Sequence, residues 1–466
     1  MSSTTCGIAQ HVGSPSVCPA VDLSRRPSTQ KRQAKVYPTA GDQMRSVIEQ
    51  PVRGEWRAII PLGIVTILTM LPVTLVVPVL KPLVQDRYGV GDLPTSLFMS
   101  ANMVGAILAA PLAGSLSDWL GRRRPLIIMA LLADSILLAL LGQASNYATL
   151  MTLRCLEGAA HIFALSLLFA LAADMSRTAR SGRIMGAVGT ALTFGVALGA
   201  PLGGVLGDAS TLLPLWVGSG LALGAAAVTF LVLRDFPVSC QAESVRVAIG
   251  LILKHRPLLV PLAYSFVDRF TVGFFTTSFP LYMRNVHELS PAEIGRLLAL
   301  FLLPFALFCY PFGRLTERTS RTLVLGGGSL LYALGVCTLG AVSLEILPFL
   351  MLGLGIVAAA MLVPTLMLTS ELAGPAGKAT AMGGFNAAGS LGFILGPLVA
   401  GSISHWVGGH YTPAVGYATA FQAAGASVLV CLIATLPTLV KLDWGRIKGP
   451  IQLSSMSQAP SDQQQT

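Results

Sequence analysis

Residues 114–125 read GSLSDWLGRRRP, with one carboxylate, two glycines and three consecutive arginines set between two long apolar runs. Fixed charge at such a point needs a reason, because the chain around it is extremely apolar. Of its 466 residues, 53% are hydrophobic and only 11% charged, which excludes a water-soluble globular domain. In hydrocarbon each backbone amide must find its partner within its own helix, so an apolar run of about 20 residues reads as one membrane crossing. Working outward from 114–125 gives twelve such runs, at 57–82, 94–117, 125–143, 149–172, 184–207, 212–233, 257–283, 291–313, 322–342, 346–369, 379–406 and 414–439.

The charges orient this set. With the N-terminus in the cytoplasm, the tail before Ala58, the loops after even-numbered spans and the C-terminal tail hold 25 of the 31 lysines and arginines. Lys81, Arg87, Arg284 and Arg296 fall on the other side, and Arg154 and Arg269 lie inside spans. That asymmetry predicts a multi-pass protein of the cell (inner or plasma) membrane with both termini cytoplasmic. The net charge of +10 is then a topology signal, and no basic patch interleaved with aromatics points to nucleic acid.

The spans predict an all-α membrane protein with a disordered tail at 1–56, a six-helix bundle at 57–233, a cytoplasmic loop at 234–256, a second bundle at 257–439 and a tail at 440–466. No secretory signal is expected, since Arg25-Arg26 precedes no apolar stretch. Residues 241–254 alternate in a way that suits a short amphipathic helix along the inner face. The seven cysteines have no paired spacing, so neither a disulfide framework nor a metal cluster is expected.

The two halves repeat. An offset of 199 lays GSLSDWLGR (Gly114–Arg122) on GRLTERTSR (Gly313–Arg321), matching Asp118 with Glu317 and Arg122 with Arg321. An offset of 197 lays Gly186, Gly195, Gly199 and Gly204 on Gly383, Gly392, Gly396 and Gly401. Such duplication sets a binding site between two halves that rock against each other.

Twelve spans in two related halves, with G-x-L-x-D-x-x-G-R-R-R after the second span, resemble the major facilitator superfamily over roughly residues 57–440. Gly114, Leu116, Asp118, Gly121, Arg122 and Arg123 match its cytoplasmic loop signature. The resemblance implies a conformational latch built from Gly114, Asp118, Gly121, Arg122 and Arg123, with Glu317, Arg318 and Arg321 as its second copy. Asp118 would accept hydrogen bonds from a neighbouring helix N-terminus and from Arg122. The plainer reading is that the arginines only enforce topology. The fifth span carries G-x8-G-x3-G-A-P-L-G-G, from Gly186 through Gly195 and Gly199 to Pro201, Gly203 and Gly204. This is similar to the superfamily's antiporter motif, except that Ala200 stands where the motif has proline. The eleventh span keeps the usual order at Gly392, Gly396 and Pro397. Close helix packing explains the same glycines without antiport.

Ionisable groups within spans are the candidates for coupling chemistry, because hydrocarbon penalises them. The fourth span places Arg154, Glu157 and His161 on one helical face, and Arg154 with Gly158 matches the superfamily's R-x-x-x-G, whose arginine is implicated in proton transfer. Glu157 either carries a proton or is permanently paired with Arg154. The seventh span holds Asp268 and Arg269, which as neighbours point about 100° apart and are not expected to satisfy each other. Asp268 either serves protons or substrate, or the span forms an inter-helix salt bridge in which Glu157 meets Arg269. Asp134, in the third span, is read as a structural hydrogen bond. The first span has no ionisable residue between Ala58 and Leu80. Tyr264, Phe270, Phe274, Phe275 and Phe279, with Tyr310, either line a wide apolar site for an amphiphilic compound or, as is expected of most, face lipid or pack.

Enzymatic readings fail, since there is no phosphate loop, HExxH, paired metal ligands or Ser/His/Asp grouping. No cofactor and no metal are expected. The expectation is a monomeric secondary transporter, twelve transmembrane helices in two pseudo-symmetric six-helix bundles, exchanging a small organic compound for protons across the lipid bilayer. A proton symporter importing a metabolite and a non-transporting scaffold or sensor are the alternatives.

Overall fold

The computed structural model describes residues 56–176, 181–233, 256–372 and 374–447, and each of the twelve apolar runs carries a long helix. The first half comprises α1 (Trp56–Leu75), α2 (Asp92–Leu120), α3 (Arg124–Leu141), α4 (Tyr147–Ser176), α5 (Ser181–Ala209) and α6 (Leu213–Val232). The second comprises α7 (Leu259–Thr276, resuming as Ser278–Asn285), α8 (Pro291–Arg318), α9 (Arg321–Thr338), α10 (Leu347–Leu372), α11 (Gly374–His410) and α12 (Pro413–Ile447). Among the described residues there is no strand, and ten helices are long and apolar enough to cross a membrane. Helix α12 runs to Ile447, so the expected tail from 440 begins as helix. The rest of both expected tails, and the amphipathic stretch 241–254, lie outside the described residues.

Local chemistry sets where helices start and break. A capping box opens α8: the Ser290 side chain accepts from the Glu293 amide, and Glu293 Oε2 accepts from the Ser290 amide at 2.8 Å. Beyond α1 the chain rewinds as a π-helical stretch, Lys81–Gln85, where Pro78 and Pro82 remove backbone donors. In the second half α7 breaks at Thr277, because Pro280 has no amide to give the carbonyl of Thr276. The first span of each half is therefore interrupted toward its C-terminal end.

Packing repeats with the same permutation. Helix α1 lies on α5 and α6, α2 on α4, and α3 on α4 and α6; α7 lies on α11 and α12, α8 on α10, and α9 on α10 and α12. Adding six to each helix number turns the first set into the second. The two most extensive joints between the halves are α2 with α11 and α5 with α8, which the same permutation exchanges; Lys81–Gln85 also touches Ser278–Asn285. At this seam a Cβ on Gly204 would lie 2.5 Å from the Pro291 carbonyl oxygen and 3.1 Å from the Gly295 Cα, and one on Gly401 would lie 2.5 Å from the Ser96 Cβ. Gly204 and Gly401 are the residues aligned by the offset of 197, and Ser96 and Gly295 are related by the offset of 199.

Among the described residues, polar bonds across the seam are few. Ser100 Oγ donates to the Ile394 carbonyl at 2.9 Å, and the Ala292 amide donates to Asp208 at 3.1 Å. All these contacts lie at the bundle end remote from Gly114–Arg124. Toward that loop, on the same two glycine-rich helices, a Cβ on Gly189 or Gly383 would meet nothing within 4 Å. The halves thus touch at the seam end, and the Gly189 and Gly383 positions toward the loop motifs face open space. Large side chains such as Leu231, Val430 and Ile433 stay exposed, as a lipid-facing surface requires.

Candidate functional site

The charged residues of α4 converge inside the first half. Arg154, Glu157 and His161 are 2%, 4% and 3% exposed, and Asp134 of α3 is fully buried beside them. Glu157 Oε2 accepts from Arg154 Nη1 at 2.9 Å and from Asn102 Nδ2 of α2 at 2.7 Å. The Arg154 guanidinium also stacks over the Phe98 ring, with its carbon 4.9 Å from the centroid. One turn along, His161 Nδ1 stands 3.4 Å from Asp134 Oδ2. One donor atom from each of Asp134, Glu157 and His161 falls within 4.8 Å of the other two. Two buried atoms have no protein partner: Asp134 Oδ1, an acceptor, and Arg154 Nε, a donor.

Glycine makes this cluster possible. A Cβ on Gly158 would sit 2.7 Å from the Asn102 Cα, and one on Gly105 would sit 2.9 Å from the Cys155 carbonyl carbon. The backbones of α2 and α4 therefore touch, bringing Asn102 within reach of Glu157. The ladder on α4 is packed among α2, α3 and α4.

In the second half, Arg269 Nε lies 3.4 Å from Asp268 Oδ2, with side chains 27% and 14% exposed. The neighbours do pair, contrary to the helical-angle argument, while the rest of the arginine side chain lies against α11 at Gly389 and Gly392. Its guanidinium carbon also lies 5.4 Å from the centroid of Phe393 on α11. Glu157 does not meet Arg269 across the halves; it is held by Arg154 within its own half. Tyr264, Phe274, Phe275 and Phe279 are buried packing residues, whereas Tyr310 is exposed.

At the loop motif, Gly121 ends α2 in the left-handed region (φ 64°), which favours glycine. Arg122 is exposed, while Arg123 is buried and donates to Ser117 Oγ at 2.9 Å. Arg124 reaches the carbonyls of Thr229 and Phe230 at the end of α6. In the second copy Arg318 is exposed and Arg321 forms a two-pronged ion pair with Glu371 of α10. The side chains of Asp118 and Glu317, like the surroundings of Gly114 and Gly186, lie outside the described residues. Along the packing motif, Gly195, Gly199 and Gly203 press on α1, and Gly392 and Gly396 on α7, while Gly273 of α7 abuts Pro397. Pro201 lies within α5, one turn before the seam's Gly204.

Sequence reasoning missed Asn102, Phe98 and Glu371. The signal for Asn102 is an amide in the middle of a span whose other polar residues are all hydroxyls, and that for Glu371 is a lone acid at the end of the tenth. Asp134 was read correctly as hydrogen-bonded, without its histidine partner.

Two permuted six-helix bundles, joined at one end and carrying charge inside one of them, define a multi-pass membrane protein of the two-bundle transporter class. The profile of the Major Facilitator Superfamily matches residues 62–287 and 262–455. The chain belongs to the major facilitator superfamily, a family of transporters and not of enzymes. It is 29% identical to the multidrug resistance protein MdtG of Proteus mirabilis (strain HI4320), over 46% of this chain and 54% of that protein. It is 25% identical to the vesicular acetylcholine transporter of Homo sapiens, over 68% of this chain and 62% of that protein. The chain spans less than two thirds of the length of either relative. Among solved structures, a bacterial homologue of the human lysosomal transporter Spinster, inward-facing and unoccupied, superposes with a TM-score of 0.70 at 15% identity. That match covers 85% of this chain and 99% of the other.

Proposed function

We propose that the protein is a secondary active transporter that works by alternating access and exports a small organic compound in exchange for protons. The observation that carries this reading is the seam: two permuted halves in contact through the same pair of helix positions, with a buried ionisable cluster anchored to a seam helix. Helix α2 holds Ile394 through Ser100 and, two residues on, holds Glu157 through Asn102. A change of charge on α4 therefore acts on the helix that joins the halves. A relative named for multidrug resistance and one named for vesicular acetylcholine transport support an organic substrate. The distribution of lysine and arginine supports a plasma-membrane location with cytoplasmic termini, and a monomer suffices for the architecture.

The test is uptake of a compound panel into inside-out vesicles with an acidified lumen. An exporter accumulates its substrate as protons leave, and collapse of the gradient abolishes this. Glu157→Gln and Asp268→Asn are assayed separately; wild-type rates and pH dependence in both would remove these residues from the coupling. Import by proton symport is the second reading, favoured by the partly exposed Arg269 beside Phe393, which suits an aromatic anion. Accumulation under the reverse gradient decides for it. A scaffold role would instead appear as absent flux, with a phenotype that disappears on deletion of residues 1–50.

A further inference from the structure

The buried cluster does not balance its charge. Arg154 and Glu157 cancel, which leaves the Asp134 carboxylate with one side-chain partner, the imidazole of His161. Glu157 is the better satisfied acid, since one oxygen accepts two hydrogen bonds, as an ionised carboxylate does. Asp134 is fully buried, with Oδ1 unpartnered and Oδ2 3.4 Å from His161 Nδ1. A lone carboxylate at this depth is among the most costly groups a membrane protein can hold. Its neighbour is the side chain that most readily exchanges a proton near neutral pH. One proton on the imidazole brings the cluster to zero net charge.

We infer that Asp134 and His161 form a one-proton binding site in the first half, with the proton held as imidazolium against the Asp134 carboxylate. The charged groups facing His161 are Asp134 from α3 and Glu157 and Arg154 from its own helix. Helix α2 contributes the neutral Asn102 through Glu157, and α1 and α5, which also touch α4, bring no titratable group there among the described residues. When the proton leaves for water, one negative charge returns to the cluster. The Asp134 carboxylate has then lost the cation beside it, and the Arg154 guanidinium, whose Nε is unpartnered, is the one positive charge left in the cluster. Turning Arg154 toward Asp134 weakens its hold on Glu157, and with it the Glu157–Asn102 bond that anchors α2 beside the seam. The inference deepens the export reading by assigning one proton per cycle to this half, and for that consequence it rests on the reading.

The test needs no transported compound. Full-length protein with 15N-labelled histidine is placed in lipid nanodiscs, and the six imidazoles are observed by 15N NMR, with His161→Gln identifying the resonance. At pH 7 the His161 ring is expected to carry protons on both nitrogens in the wild type and in Asp134→Glu, and on one only in Asp134→Asn. A singly protonated His161 in the wild type overturns the inference, even if Asp134→Asn fails to fold. An unchanged doubly protonated ring in Asp134→Asn overturns it equally. Failure of the export reading is seen separately, as absence of gradient-driven uptake in wild-type vesicles.

Discussion

Gly158→Ala tests whether the charge cluster depends on backbone contact between α2 and α4. The new methyl would come 2.7 Å from the Asn102 Cα and 2.6 Å from its carbonyl carbon. Carbon atoms rest at about 3.5–4.0 Å, so the helices must part by about 1 Å. Overpacking of this kind costs about 1–3 kcal/mol. The same movement draws Asn102 away from Glu157, now 2.7 Å apart, and a buried charged group deprived of a partner costs about 1–3 kcal/mol more. Alanine's better helix propensity returns at most about 1 kcal/mol. The expected net loss is about 1–5 kcal/mol, read from denaturant unfolding of the purified protein in detergent. Gly224→Ala is the control, because its Cβ meets nothing within 4 Å, and it should be neutral or stabilising by about 0.5–1 kcal/mol. Equal stabilities for the two variants would refute the reasoning.

Arg154→Ala strips Glu157 of its counter-charge and should cost about 3–5 kcal/mol; the double variant with Glu157→Ala should lose less than the sum of the single losses, as a thermal unfolding cycle will show. Gly204→Leu drives a side chain into Pro291 and Gly295 at the seam and should favour the state with that end open. Spin labels replacing the exposed Trp119 and Tyr310 should then move closer together, and an unchanged distance distribution would argue against it. Burial disfavours the charged form of His287, which packs edge-on against Tyr282 at 4.9 Å. The folded chain therefore binds that proton less readily than the unfolded one, whose histidines titrate near about pH 6.5. Its contribution to stability is present above about pH 6.5 and is lost on acidification below that, a slope that His287→Phe should reduce in unfolding measured at pH 5 and pH 7.5.

The fold was legible because hydrocarbon leaves so few options: an apolar run of sufficient length becomes a helix, and the two offsets in the sequence already carried the symmetry. Gly204 and Gly401 were paired by arithmetic and then found in equivalent seam positions. The site was legible only in part. Periodicity put Arg154, Glu157 and His161 on one face, but which neighbours that face meets depends on how closely helices approach, a tertiary property set by Gly105 and Gly158. Asn102 passed unnoticed because it is uncharged, and Asp134 was set aside because it is the one ionisable group in its span. The pairing of Asp268 with Arg269 was misjudged because backbone angles do not limit a side chain with four torsions. The break in the first span was also missed, although Pro78 and Pro82 carried its signal.

The seam between the halves has little to unfasten. Backbone lies close on backbone at Gly204 and Gly295, and among the described residues few polar links cross the seam, so one surface can roll over the other there with few bonds to break. A joint of that kind acts as a bearing. The slow step of any cycle it serves would then fall to the occupant and to the proton, and hardly at all to friction between the bundles.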